Sequence, residues 1–283
     1  MASTQDLRRK IKSVKSTAKL TKAMQMVAAS KMAKAVSRAA ASRAYSDLAW
    51  QVVQNLVSRT NIDHPYLKAN NSDRVALLVL TSNRGLAGSF NSQIIKKSVE
   101  NLTKDTDLFV IGRRGQSYFR RFHPDKVKAE FDAPDSSPSI TDIGPISSLV
   151  TKSFQLGDYG KIGVVYNRFI STLNQEPVIE WLLPIENNVS VEDEIVQTEY
   201  KIEPSPNEVI NTILTKIVPS RIYQVLLDSS ASEQSARMIA MKSATDNALE
   251  IADDLTLTYQ SIRQANITRE IIEVSSGAAA LAN

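Results

Sequence analysis

The chain has 283 residues, 42% hydrophobic and 23% charged, with a formal net charge of +4 and no Cys. That composition is typical of a soluble globular protein of one or two domains. It excludes disulfides, thiolate metal sites and thiol redox switches, and no apolar run approaches the roughly 20 residues that span a bilayer.

The first 60 residues read as one long helix. No Pro precedes Pro65 and no Gly precedes Gly85. Leu7, Ile11, Val14, Ala18 and Thr21 step by four and three residues, and Ala28, Met32, Ala35, Ala39, Ala49, Val53 and Leu56 continue the register. This is the period of a coiled-coil seam, with small residues in its middle that let two helix axes approach closely. The same stretch is strongly basic. Residues 1–44 hold eleven Lys or Arg against the single acid Asp6, a balance of +10 that leaves −6 for the rest of the chain. A basic helix of this kind suits nucleic acid, an anionic membrane or an acidic protein partner. Interleaved Glu, which would pair with Lys at four-residue spacing, is lacking, so the acids are expected from outside the helix. Residues 1–44 also carry no aromatic side chain, which disfavours nucleic acid, where bases stack on aromatics. The N-terminus shows no signal-peptide apolar block and leaves no room for a transit peptide. With zero Cys, the expected compartment is a bacterial cytoplasm or its equivalent.

From Asn61 to Asp73 the chain is a polar loop, with Pro65 ending any helix. The period then changes. Arg74–Thr81 is a continuous apolar run that fits a strand buried on both faces. Asn91–Leu102 reads as a helix, Asp107–Ile111 as a second strand and Gly115–Phe122 as a short helix. Residues 132–145, rich in Pro, Ser and Asp, read as loop. A helix over Ile146–Gln155 and a strand over Lys161–Tyr166 follow. Pro177–Leu183 is expected as a strand that is antiparallel or at an edge, and Gln197–Ile202 as a short fifth strand. Strands alternating with helices predict a small α/β domain with a mostly parallel sheet. Asn207 is a candidate N-cap for the next helix, which Pro219 should kink or interrupt.

Ser220–Ser276 contains neither Pro nor Gly. Met238, Met241, Thr245, Ala248, Ala252, Leu255, Tyr259 and Ile262 form a second seam. A helix of this length would run roughly 85 Å and needs a partner helix, which the N-terminal stripe supplies in antiparallel fashion. Beyond Ile262 the seam positions turn polar, at Asn266 and Arg269, so the last part should outreach its partner. The fold class is therefore α/β. A long antiparallel coiled coil of the N- and C-terminal helices carries an inserted Rossmann-like α/β domain. The expected division is a helix over 1–60, an α/β foot over 61–206 and a helix over 207–283.

Chemistry is sparse. Thr81–Asn91 joins a strand to a helix but lacks the Gly-Lys-Ser/Thr of a phosphate loop, and Gly112-Arg113-Arg114-Gly115 lacks the rest of a dinucleotide fingerprint. Both read as tight structural turns. His64 and His123 read as surface residues without motif partners, and no zinc or nucleophile-elbow pattern occurs. The Met residues at 24, 26, 32, 238 and 241 suit adaptable packing.

Several motifs carry a family resemblance. Lys19-Leu20-Thr21-Lys22-Ala23-Met24-Gln25-Met26-Val27-Ala28-Ala29-Ser30-Lys31 resembles the N-terminal helix of F-type ATP synthase gamma subunits, of the bacterial type. Ile267–Ala278 resembles the signature at the end of that family, as do Ser235–Lys242, Arg263-Gln264-Ala265 and the turn Arg84-Gly85-Leu86-Ala87-Gly88. The similarity runs end to end. Ala87 stands where many members carry Cys, and the chloroplast-type cysteine insert is absent. The resemblance implies a non-catalytic rotor subunit of the central stalk. Its partners would be a hexamer of three alpha and three beta subunits, the epsilon subunit and the membrane c-ring. It implies no cofactor, no metal, no nucleic acid and no direct nucleotide binding. Its place would be the cytoplasmic face of the bacterial inner membrane, held peripherally through the complex. Carried over by position, the beta contacts would be Lys22, Met24 and Lys31 on the first helix and Arg263, Gln264, Thr268 and Glu270 near the end of the last. Tyr200, Glu203 and Pro204 would meet the c-ring and epsilon, although Ile202 replaces an aromatic often found there. The residues alone also leave room for a basic coiled-coil nucleic-acid binder and for a nucleotide-dependent enzyme built on the α/β domain.

Overall fold

Four of the strands follow from the apolar runs, and two very long helices flank the sheet. In the computed structural model, residues 4–59, 64–68, 70–134, 138–185 and 206–281 are described. The expected strand Gln197–Ile202 and the positions Tyr200, Glu203 and Pro204 lie outside them. In chain order the elements are α1 (Thr4–Arg59), β1 (Val75–Leu80), α2 (Phe90–Glu100), β2 (Thr106–Ile111), α3 (Arg113–Phe122), β3 (Val127–Phe131), α4 (Ile140–Gln155), β4 (Lys161–Phe169), β5 (Gln175–Leu183) and α5 (Pro206–Leu281), with 3₁₀ turns at Pro65–Leu67 and Pro124–Lys126. By internal contacts the chain divides into a unit of Met1–Val27 with Met238–Asn283 and a unit of Ala28–Arg237.

The second unit contains a sheet of order β3-β2-β1-β4-β5. Its first four strands are parallel and β5 is antiparallel to β4 at the edge, as the Glu-Pro start of that strand suggested. Leu78 lies between Phe109 and Val164 in the central register. Both faces are buried, which is why these strands read as unbroken apolar runs. On one face Leu78, Leu80, Phe109, Val164 and Tyr166 pack with Ile143, Ile146, Val150 and Phe154 of α4 and with Leu214, Ile217, Val218, Ile222 and Val225 of α5. On the other, Leu77, Val79, Leu108, Val110 and Val165 pack with Phe90 and Ile94 of α2 and Phe119 of α3.

Four expectations are corrected. Strand β3 was not foreseen, because its five residues include Lys128 and Glu130 and its apolar positions are only half-buried. Helix α4 starts at Ile140, inside the segment read as loop. The Ser139 N–H donates to Asp142 Oδ2 at 2.8 Å, as in a capping box, and burial of Ile143 and Ile146 against the sheet carries the helix through Pro145. Helix α5 opens at Pro206, which suits a first helical position, so Asn207 lies inside the first turn rather than capping it. Of the kink or interruption expected at Pro219, the interruption does not occur: the helix is continuous there. An interior Pro costs about 3 kcal/mol, and the buried row Ile217, Val218, Ile222 and Val225 offsets it, at about 1.5–3 kcal/mol per fully buried side chain.

Candidate functional site

In the first unit the seam positions alternate with exposed ones as the spacing predicts. On α1, Leu7 and Ala18 are buried and Ile11, Val14 and Thr21 half-buried; on α5, Met241, Thr245, Ala248 and Ala252 are buried and Leu255, Tyr259 and Ile262 half-buried. Two contacts fix the direction of the pairing. Thr21 Oγ1 lies 2.7 Å from Thr245 Oγ1, and Arg8 Nη2 donates to the Tyr259 hydroxyl at 2.9 Å. Facing positions therefore add to 266 or 267, an antiparallel register. Ile262 falls opposite Thr4, the first residue of α1, and among the described residues the pairing goes no further. Residues 267–278 of α5 are exposed without exception, including Ile267, Ile271, Ile272 and Val274.

Arg263, Gln264, Thr268 and Glu270 all lie at or beyond this exit and are exposed. Lys22 is exposed and Met24 half-buried on the paired part of α1. Lys22 is 18 residues from the start of α1 at Thr4, hence roughly 27 Å along the axis from the layer of Ile262. The first unit therefore carries two separate candidate surfaces. Lys31 belongs to the second unit, where it is half-buried. The Arg8–Tyr259 and Thr21–Thr245 contacts were missed by the sequence reading. The two Thr were legible as seam positions, but their hydroxyl pairing depends on the register, which only the paired structure reveals.

In the second unit α1 and α5 meet through polar contacts. Arg43 Nη2 donates to Asp228 Oδ1 at 2.9 Å, and Gln224 Nε2 donates to the Ala39 carbonyl at 3.3 Å. Burial pushes the Asp228 carboxyl above its usual range, and Arg43 opposes this.

The glycine turns are packing devices. Gly112 has φ +92°, and a Cβ there would lie 2.1 Å from the Thr81 carbonyl oxygen. A Cβ on Gly115 would lie 2.7 Å from Thr81 Oγ1, which accepts the Gly115 N–H at 2.9 Å. In the turn at 84–88, Leu86 is exposed at φ 63° and Ala87 is buried; the Ser82 hydroxyl donates to the Arg84 carbonyl at 2.6 Å. In open sheets of this class, ligands bind beyond the carboxyl ends of the strands where the order reverses, here between β1 and β4. That crevice is filled by α5. Ser232 Oγ donates to the Asn167 carbonyl at 2.8 Å and Arg237 reaches the Gly85 carbonyl at 3.4 Å. At the ends of β1 and β2, the remaining space among Leu80, Thr81, Ile111, Leu226, Ser229 and Glu233 is about 20 Å³, room for about one water.

His64 is not a surface residue. It is 8% exposed, its Nδ1 accepts the Tyr66 N–H at 3.1 Å to cap the turn at Pro65, and burial lowers its pKa. His123 is half-buried, its ring 6.2 Å from that of Phe119. Among the described residues no group of three or more His, Cys, Asp or Glu is placed to hold a metal ion. No helix of these residues is long and apolar enough to cross a membrane.

A family model described as ATP synthase matches residues 3–281. The chain is 38% identical over 290 residues to the ATP synthase gamma chain of Nitrosococcus oceani, covering 99% of this chain and 100% of that one. This chain belongs to the ATP synthase gamma family. The gamma chain of Haemophilus influenzae is 37% identical over 291 residues, with the same coverage. Among solved structures, the central stalk and c-ring of the Tetrahymena thermophila mitochondrial ATP synthase contains a chain similar at a TM-score of 0.62 and 28% identity, over 80% of this chain and 99% of that one. A chain of the Euglena gracilis mitochondrial ATP synthase matches at a TM-score of 0.70 and 17% identity, over 98% and 94%, and shares the fold.

Proposed function

We propose that this chain is the central-stalk rotor subunit of an F-type ATP synthase. It couples ion-driven rotation of a membrane c-ring to ATP synthesis and hydrolysis at the beta subunits of an alpha-beta hexamer. The observation that carries the reading is the exposed end of α5. Twelve consecutive residues, 267–278, are exposed and have no burying neighbour among the described residues, although they include four large aliphatic side chains. A helix of this composition needs a sleeve supplied by other chains. Apolar contact is non-directional, so such a sleeve holds the helix while letting it turn.

The rotor carries no catalysis of its own. The crevice where a Rossmann-like domain would take a nucleotide is filled by α5, so the α/β domain offers surface rather than an active site. The residues at 1–60 and 207–283 form the shaft, and those at 61–206 form the foot, which meets the epsilon subunit and the c-ring through Tyr200, Glu203 and Pro204. Lys22, Met24 and Lys31 meet acidic loops of beta on the shaft. Arg263, Gln264, Thr268 and Glu270 meet beta near its end. An asymmetric shaft presents different faces to three beta subunits in turn. A contact made in one rotary state and absent in another sets an energy difference between states. The chain acts at the cytoplasmic face of the bacterial inner membrane, held peripherally by the complex.

Native mass spectrometry of the purified assembly should find one copy per three alpha and three beta subunits; a chain that never co-purifies with them refutes the reading. Replacing Arg263 and Gln264 together by Ala should leave that assembly intact and slow rotation-linked turnover. One charge-assisted hydrogen bond of about 1.5–3 kcal/mol corresponds to roughly 10- to 150-fold in rate if fully expressed in the barrier. Wild-type ATP hydrolysis and proton pumping in the intact assembly would remove these two residues from the coupling surface.

A further inference from the structure

The seam of the paired helices is weak in one specific respect. Ala18, Ala248 and Ala252 are buried at its centre, and layers of small apolar residues hold two helices together without stating where along each other they stop. The period makes this worse. If one helix slid seven residues past the other, Ala18 would move from opposite Ala248 to opposite Leu255, and Ile11 from opposite Leu255 to opposite Ile262. Apolar residues would still meet apolar residues.

Within the first unit two contacts break that degeneracy, apart from the Arg43–Asp228 and Gln224–Ala39 contacts that the same helices make in the second unit. Thr21 and Thr245 are hydrogen bonded at 2.7 Å. Whichever hydroxyl donates across, the other gives its proton to its own helix, Thr245 to the Met241 carbonyl at 2.8 Å or Thr21 to the Thr17 carbonyl at 3.1 Å. Near the other end Arg8 donates to the Tyr259 hydroxyl at 2.9 Å, with its guanidinium carbon 5.6 Å from the ring centroid. The two contacts are separated by 13 residues on α1 and 14 on α5, so both demand the same register. A seven-residue slide would place Thr21 opposite Ala252 and break both.

We propose that Thr21–Thr245 and Arg8–Tyr259 are register pins, positioning contacts that stop the two helices sliding past one another when the pair carries torque. Polar contacts on an apolar seam are a known means of specifying register. They suit an Ala-rich seam because a hydrogen bond is directional where apolar packing is not. Each bond of about 0.5–1.5 kcal/mol shifts the ratio of correct to slipped register by roughly 2- to 12-fold. The register claim stands on the geometry alone, and its consequence for torque rests on the central-stalk reading.

The absence of Cys allows a clean test by disulfide trapping. Ile11→Cys with Leu255→Cys reports the native register. Ile11→Cys with Ile262→Cys reports the seven-residue slide, since these positions are otherwise about 10 Å apart along the axis and beyond disulfide reach. The pinless variant is Thr245→Val with Tyr259→Phe, which removes two hydroxyls and changes side-chain shape little. In the otherwise unchanged full-length chain only the native pair should trap. In the variant the slipped pair should rise at least about fivefold, and restoring a hydroxyl with Thr245→Ser should reverse part of it. Reconstituted complexes of the variant should hydrolyse ATP but pump fewer protons per ATP. Trapping of the native pair alone in the variant overturns the proposal. Slippage with wild-type pumping refutes the role in torque. Failure of the unsubstituted chain to join any complex counts against the stalk reading and leaves the register result standing.

Discussion

The paired helices make a sharp prediction at two adjacent residues. Ala252 is 1% exposed in the seam, whereas Ile251 beside it is 50% exposed. Substituting each by Glu puts the same carboxylate once on the buried face and once on an exposed face of one helix. At position 252 the charged form would be buried without a partner, which costs several kcal/mol, and the group escapes by taking a proton. Holding a carboxyl of ordinary pKa about 4.3 neutral at pH 7 costs about 1.36 kcal/mol for each of about 2.7 pH units, close to 3.7 kcal/mol. That is an upper limit on the electrostatic part. Fitting four further heavy atoms beyond Cβ into a closed layer adds about 1–3 kcal/mol of overpacking. The introduced group has a folded pKa above its unfolded value. Its penalty is therefore absent below about pH 4.3 and grows by about 1.4 kcal/mol per unit as pH rises, until the folded group ionises or the helices part. The assay is thermal unfolding of the full-length chain followed by helical circular dichroism at pH 5 and pH 7. Ala252→Glu should lower the helical transition by up to roughly 9–27 °C at pH 7, taking about 2–4 °C per kcal/mol, and by distinctly less at pH 5. Ile251→Glu should stay near the parent at both. Equal melting of the two variants at pH 7 would mean that this face of α5 is not buried in a seam.

Two more predictions concern the second unit. Gly112→Ala combines a left-handed backbone at φ +92° with a Cβ placed 2.1 Å from the Thr81 carbonyl oxygen. Conformational strain alone is about 1–3 kcal/mol, so urea unfolding should show a loss of at least about 2 kcal/mol, and a smaller change would mean β1 and the start of α3 can separate freely. His64 is buried with its pKa lowered from 6.5, and its Nδ1 must be unprotonated to accept the Tyr66 N–H. Its contribution is fully present above about pH 6.5 and is lost as pH falls toward and through the lowered value. His64→Asn, which keeps a side-chain acceptor for the turn, should flatten the decline in melting temperature between pH 7 and pH 5, and an identical slope in both proteins would remove His64 as its source.

The two glycine-rich turns show why motif reading stopped where it did. Gly112 and Gly115 sit after a strand, as phosphate-binding glycines do, and their spacing offers no means of telling that use from packing. The distinction lies in what approaches them. Here it is Thr81, 31 and 34 positions earlier, whose hydroxyl donates to the Ile111 carbonyl and accepts from Gly115. His64 is a similar case. A His before Pro in a polar stretch looks exposed, and its burial comes from the packing of Tyr66 and the chain around it.

The long-period features were decided locally. A seam of three- and four-residue steps, unbroken by Pro or Gly, already determines that α1 and α5 are helices and which side of each is apolar, because side-chain direction in a helix repeats with the backbone itself. The same holds for the doubly buried strands β1, β2 and β4, whose apolar runs need two covering layers. The change from seam residues to Asn266 and Arg269 marked the exit of α5 from its partner. What tertiary structure alone decided were the outcomes that depend on which distant residue comes near. Strand β3 exists because β2 offers it an edge, and α5 runs through Pro219 because the sheet rewards its buried row. Within the first unit the directional contacts between the paired helices are Thr21 with Thr245 and Arg8 with Tyr259, and in the second they are Arg43 with Asp228 and Gln224 with the Ala39 carbonyl. A periodic seam allows several registers of similar apolar burial, and only directional contacts between residues far apart in the chain select one.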